Sequence, residues 1–132
     1  KKIIDNLTDS NKIWAKNAPL LMLTAYKKET EKGKENFHAL HDLGMGLGAM
    51  TVQAQYMGIA MHHMAGLDYK EAQQIFNIPE EFHIATAIAL GYYGGELDDL
   101  PEKLQKKEIS ERQRMPQNQF AFKNSWGTDQ NM

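Results

Sequence analysis

The sequence lacks cysteine and is sparing with proline. Its 132 residues contain no Cys and four Pro, so disulfides, thiolate metal sites and cysteine nucleophiles are excluded. No apolar run reaches membrane-spanning length, and a formal net charge of −2 argues against general binding to nucleic acid or to an anionic membrane. What is present is an ordinary globular composition, 42% hydrophobic and 24% charged. We expect one domain over residues 1–132, and a cytoplasmic location fits this composition.

The hydrophobic pattern predicts a mixture of helices and short strands. Residues 20–26 form an apolar run without alternation, which predicts a central strand covered on both faces. Residues 37–57 carry apolar residues three or four apart and predict a long helix that Gly58 ends. Asp68 is expected to cap another helix. We expect further strands over residues 59–64, 84–90 and 117–122.

Two patterns within the first half of the chain have simple structural explanations. Residues 44–49 read G-x-G-x-x-A, a dinucleotide fingerprint, but the residues before them predict a helix where that fingerprint requires a strand. Their glycines are better explained by close approach of another backbone to the helix. His38 and His41 have the spacing of a shared metal site. No third ligand is set by spacing, so we expect ordinary histidines and no metal.

A short segment joins the strand at residues 59–64 to the helix that follows Asp68. Its Ala65 and Gly66 are small and leave backbone N–H groups accessible just before the helix. Such amides favour the electron-rich atoms of a ligand. The alternative is a tight strand-to-helix turn that needs glycine for structure alone.

Two arginines near the end of the chain form a second candidate binding feature. Arg112 and Arg114 are two apart, and Pro116 disfavours helical backbone at Met115. On an extended segment, both guanidinium groups point to one side. Forked, charge-assisted hydrogen bonds from such a pair suit a phosphate group.

Taken in order, these segments resemble the nitroreductase family of FMN-dependent oxidoreductases. The motifs run from the Trp14 region through His-Asp-Leu-Gly at residues 41–44 and Met-Ala-Gly-Leu-Asp at residues 64–68 to Arg-Gln-Arg-Met-Pro at residues 112–116. The resemblance implies an α+β fold, an antiparallel-type sheet wrapped by helices, in an intertwined homodimer with the long helix at its interface. FMN would lie between subunits. The cofactor-binding residues implied are His63, Met64, Ala65, Gly66, Arg112 and Arg114.

The activity implied is electron transfer from NAD(P)H to a nitroaromatic, quinone or related acceptor. In such proteins the flavin carries the chemistry and the protein binds and orients it, so no catalytic acid or base is assigned. The family pattern begins with an N-terminal segment that is absent here. We expect the sequence to be truncated at that end; the alternative is a family member that has lost part of the site. The alternatives are a flavin-binding relative without turnover and a structural dimeric homologue with an empty site.

Overall fold

The computed structural model describes residues 2–127, and Lys1 lies outside them. In chain order the helices and strands are α1 Lys2–Asp5, α2 Asp9–Ala15, β1 Leu20–Lys27, α3 Ala39–Tyr56, β2 Ala60–Met64, α4 Tyr69–Ile75, β3 Phe82–Gly91 and α5 Glu102–Glu108. Short 3-10 turns occur at Leu97–Asp99 and Gln117–Gln119. The chain divides into two compact units, of which the first ends at Glu96 and the second begins at Leu97. In the part of the chain described, no helix is long and apolar enough to cross a membrane.

The first unit is built on a three-stranded antiparallel sheet with the order β1-β3-β2. The antiparallel sheet with surrounding helices confirms the predicted α+β fold. The prediction that residues 20–26 form the central strand is wrong, because β3 has a partner on each side and β1 lies at an edge of this sheet. Both strands are apolar runs, so hydrophobicity alone does not decide which of them has two neighbours.

A β-bulge in β3 decides which of its residues face the same side. Thr24 pairs with Thr86 and Ala25 pairs with Ile84, so Ala85 is an extra residue on β3. Under strict alternation, Ile84 and Ala87 would lie on opposite faces of the sheet. Instead, Ile84 and Ala87 belong to one buried cluster, because the bulge reverses the alternation at this point.

Helices cover both faces of the sheet. The buried cluster on one face joins residues of the sheet to residues from α4 and the N-terminal segment, namely Leu7, Ala15, Met64, Leu67, Ala72, Ile84, Ala87 and Ala89. Helix α3 covers the other face. Two adjacent residues of β2 mark the two sides: the His62 ring meets the Trp14 ring of α2 at 4.7 Å between centroids, and the His63 ring meets Thr51 of α3. Neighbouring residues of a strand point to opposite faces of the sheet, and these two histidines do so.

The predicted helix ends are confirmed by their local geometry. Gly58 follows α3 with a φ of +73°, the left-handed conformation that favours glycine. The Asp68 carboxylate accepts a hydrogen bond from the N–H of Glu71 at 2.9 Å and caps α4. Helix α3 itself lies within the predicted range, and Ala54 on its apolar stripe is buried. The first residue of that stripe, Leu40, is 56% exposed.

The second unit contains α5 and two turns. Pro101 precedes α5, and its carbonyl accepts hydrogen bonds from the N–H of Leu104 at 2.7 Å and of Gln105 at 3.1 Å. The predicted strand over residues 117–122 is wrong, because Gln117–Gln119 forms a 3-10 turn. Pro116 has a φ of −56°, and its carbonyl accepts from the N–H of Gln119 at 3.0 Å. Proline at this position favours the start of a helical turn over a ladder of strand hydrogen bonds.

Candidate functional site

The turn between β2 and α4 is held in place by the segment that precedes α2. The N–H of Thr8 donates to the carbonyl of Gly66 at 2.9 Å, and the N–H of Asp68 donates to the carbonyl of Asn6 at 2.8 Å. Between these bonds, Leu7 and Leu67 form an isolated antiparallel bridge, and both side chains are buried. The turn is therefore a fixed part of the first unit.

Gly66 is required by space. A Cβ atom at this residue would lie 2.7 Å from Oγ1 of Thr8 and 2.9 Å from Nδ2 of Asn11. The Asn11 amide also donates to the Gly66 carbonyl at 3.2 Å. This close approach accounts for the glycine without a ligand, so the structural explanation of the turn holds for Gly66.

The hydrogen bonds of the turn use its carbonyl groups but leave the amides of Ala65 and Gly66 unused. The Ala65 carbonyl accepts from the Tyr69 hydroxyl at 2.7 Å and from the N–H of Leu67 at 3.0 Å. By contrast, no partner within residues 2–127 is found for the N–H of Ala65 or of Gly66. Ala65 is exposed. Two unengaged amides beside an exposed backbone can donate to the electron-rich edge of a ligand.

The side chains that flank these amides differ in what they can offer. The Met64 side chain is 2% exposed and belongs to the buried core, so only its backbone can face a ligand. His63 is exposed, and its Nε2 lies 3.1 Å from Oγ1 of Thr51. Of the four residues predicted here, His63 is the one with a polar side chain available to a ligand.

An open cleft of about 530 Å³ lies beside the turn. It is lined by Leu67, Asp68, Tyr69, Lys70, Gln73 and His83. The rings of Tyr69 and His83 stack with 6.0 Å between centroids and 14° between planes. The hydroxyl of Tyr69 connects this cleft to the Ala65 carbonyl. Tyr69 was not identified from the sequence, because its position there indicates only the first residue of a helix.

Arg112 and Arg114 belong to the second unit. They lie in a stretch, residues 111–116, that is neither helix nor strand, and both are exposed. One guanidinium N–H of Arg114 donates to the neighbouring carbonyl of Gln113 at 3.1 Å. No ion pair to a carboxylate is found for either arginine among the described residues. Both guanidinium groups therefore keep donors for an anion.

The other sequence patterns are placed in structural elements. Residues 44–49, the G-x-G-x-x-A pattern, lie inside α3, so the strand-turn-helix of a dinucleotide site does not occur there. The His38 ring packs edge-on against Phe37 at 5.1 Å, and Nδ1 of His41 lies 3.5 Å from the Asp42 carboxylate. Over residues 2–127, no cluster of three or more potential metal ligands is present.

The sequence is similar to those of known proteins. A model of the nitroreductase family matches residues 2–92. An uncharacterized 15.4 kDa protein of Mycolicibacterium smegmatis is 28% identical over 108 residues, which cover 82% of this chain and 71% of that protein.

Solved structures show the same fold. A structure described as an oxidoreductase containing FMN superposes with a TM-score of 0.87 at 23% identity, over 97% of this chain and 66% of its own. A nitroreductase family protein from Clostridium difficile superposes with a TM-score of 0.58 at 19% identity, over 83% of this chain and 61% of its own. The present chain thus spans slightly less than two thirds of the length of these two structures.

Proposed function

Since the chain belongs to the nitroreductase family, as its motifs predicted, we propose that it is an FMN-dependent oxidoreductase. It transfers electrons from NAD(P)H to a nitroaromatic, quinone or related acceptor, and it works as a homodimer. The observation that carries the proposal is the turn after β2, where the N–H groups of Ala65 and Gly66 have no partner within residues 2–127. The FMN-containing oxidoreductase of the same fold supports the choice of cofactor.

The chemistry of the available donors fits FMN. A flavin ring carries carbonyl oxygens and ring nitrogens that accept hydrogen bonds, and the two free amides of the turn are donors. A phosphate accepts several hydrogen bonds at once, and the exposed guanidinium groups of Arg112 and Arg114 are suited to supply them. We propose that His63, Met64, Ala65 and Gly66 bind the ring portion, Met64 through its backbone, and that the two arginines bind the phosphate.

The roles of the protein are binding and orientation. FMN, when bound, accepts a hydride from the nicotinamide and passes electrons to the acceptor. The amides of Ala65 and Gly66 hold the ring by its electron-rich edge, and fixed N–H dipoles stabilise negative charge without reorganising. The anchoring of Gly66 by Thr8 and Asn11 keeps these dipoles in place. No side chain is assigned as catalytic acid or base.

Helix α3 supports the homodimer. Large apolar side chains on one side of this helix are exposed in the single chain, namely Met45 by 64%, Val52 by 72% and Tyr56 by 87%. A patch of this kind marks an interaction surface. We propose that a second copy of the chain covers it, and sedimentation of the purified protein tests this directly.

The decisive experiment for the cofactor combines two arginine substitutions. Arg112→Ala with Arg114→Ala removes charge-assisted hydrogen bonds that contribute about 1.5–3 kcal/mol each, so the Kd for FMN should rise by about 10- to 150-fold for each bond lost. Binding is measured by quenching of FMN fluorescence. The matched control is Lys103→Ala with Lys107→Ala, which removes the same charge from exposed positions of α5.

The outcomes separate the proposal from its rivals. Equal effects of the arginine and lysine pairs would remove the arginines from the site. A wild-type protein that binds FMN but is not bleached by NAD(P)H would be a flavin-binding relative without turnover. A stable dimer that stays colourless with added FMN would be a structural homologue.

A further inference from the structure

A chain of two hydrogen bonds links α3 to His63. The hydroxyl of Thr51 lies 2.8 Å from the carbonyl of Leu47, four residues earlier on the helix, and donates to it. The same oxygen lies 3.1 Å from Nε2 of His63. A hydroxyl has one proton, and a carbonyl can only accept. The Thr51 proton is therefore used by Leu47, and Nε2 of His63 must be the donor to Thr51.

This assignment fixes the tautomer of the ring. A neutral imidazole carries one N–H, so a proton on Nε2 leaves Nδ1 as an acceptor. The hydrogen bond also holds the ring in one orientation, because it joins His63 on β2 to Thr51 on α3. Thr51 is half-buried and His63 is exposed. The side chain next to the buried Met64 thus presents a defined acceptor at the start of the turn.

We infer that Thr51 is a positioning residue for the candidate cofactor site: it holds His63 in the Nε2–H tautomer so that Nδ1 accepts a hydrogen bond from an N–H or O–H donor of the bound ligand. This inference rests on the proposed function, since FMN carries donors of both kinds. It adds a residue of the long helix that no motif marks. Thr51 acts only through His63.

The test is a double-mutant cycle on FMN affinity. Thr51→Val keeps the size of the side chain and removes the hydroxyl, while Thr51→Ser keeps the hydroxyl. We expect Thr51→Val to weaken FMN binding by roughly two- to tenfold, the contribution of one hydrogen bond, and Thr51→Ser to retain wild-type affinity. In a His63→Ala background, Thr51→Val should have no further effect, because coupled residues are not additive.

A second readout uses the protein without flavin. Two-bond couplings between ring protons and ring nitrogens in ¹⁵N-labelled wild-type protein report which nitrogen of His63 carries the proton. We expect Nε2–H, with contacts between the ring protons and the Thr51 methyl that are lost in His63→Ala. A proton on Nδ1 would overturn the inference whether or not any variant folds.

The two readouts distinguish failure of the inference from failure of the proposed function. Additive effects of Thr51→Val and His63→Ala, or an unchanged affinity in Thr51→Val, would reject Thr51 as a positioning residue while FMN binding stands. No FMN binding by the wild-type protein would reject both the cofactor and the role of Thr51 in its site. In that case the two-bond couplings of the His63 ring would still show whether Thr51 and His63 are hydrogen-bonded.

Discussion

Gly66→Ala should destabilise the first unit, because the added methyl group has no room. Its Cβ would approach Oγ1 of Thr8 to 2.7 Å, Nδ2 of Asn11 to 2.9 Å and Cγ2 of Thr8 to 3.2 Å. Separations below 3.0 Å force a shift of the neighbouring atoms. Thr8 is short and β-branched, so it has few other rotamers. The Asn11 amide can turn away only by giving up its bond to the Gly66 carbonyl.

The expected magnitude follows from these contacts. Overpacking by a methyl group costs about 1–3 kcal/mol, and loss of the Asn11 bond costs a further 0.5–1.5 kcal/mol, roughly. Replacing Gly by Ala also restricts the unfolded chain, which offsets about 0.4–1 kcal/mol. The free energy of unfolding should therefore fall by about 0.5–4 kcal/mol.

Urea unfolding followed by tryptophan fluorescence, to which Trp14 and Trp126 both contribute, measures this change at one fixed protein concentration, because association would shift the midpoint. Gly94→Ala is the matched control, since a Cβ there meets nothing within 4 Å. A Gly66→Ala protein no less stable than Gly94→Ala would refute the close approach. Adding Asn11→Ala to Gly66→Ala should cost less than Asn11→Ala costs in the wild type, since the two share one contact.

Two further substitutions test the frame around the site. Asp68→Ala removes the acceptor for the Glu71 N–H at 2.9 Å and should lower the free energy of unfolding by about 1 kcal/mol, whereas Asp68→Asn should retain most of it; equal losses in the two variants would contradict the cap. Ile88 in β3 is fully buried, so Ile88→Val should lower the free energy of unfolding by about 0.5–1.5 kcal/mol in urea; an unchanged midpoint would contradict its burial in a closely packed core.

The parts of the fold that the sequence predicted are those controlled by local chemistry. Gly58 ends α3 through its own positive φ, and Asp68 caps α4 through an N–H three residues away. Signals that act over a few residues can be recognised in the sequence alone. The order of the strands cannot be recognised in this way, because β1 and β3 are both apolar and their pairing depends on contacts some 60 residues apart. The bulge at Ala85 is likewise set by pairing and leaves no mark of its own in the sequence.

The candidate site likewise contains residues that local sequence patterns predicted and residues that they did not. The turn at Ala65 and Gly66 was predicted because two small residues between a strand and a helix cap form a local pattern. Thr51 was missed, because the hydrophobic periodicity of α3 does not indicate which of its hydroxyl groups contacts His63, twelve residues later. The positions of Arg112 and Arg114 as a phosphate site remain a prediction.

The glycines of α3 connect the fold to the proposed homodimer. Gly44, Gly46 and Gly48 each lower helix stability by about 1 kcal/mol relative to Ala, and the sequence predicted that a close backbone would compensate. Within residues 2–127, a Cβ at any of the three would meet no atom within 4 Å apart from the neighbouring backbone of α3 itself. No backbone within residues 2–127 therefore provides the predicted close approach. A second copy laid along α3 would provide it at Gly44 and Gly48, which lie four residues apart on one side of the helix, and would also cover the exposed Met45 and Val52.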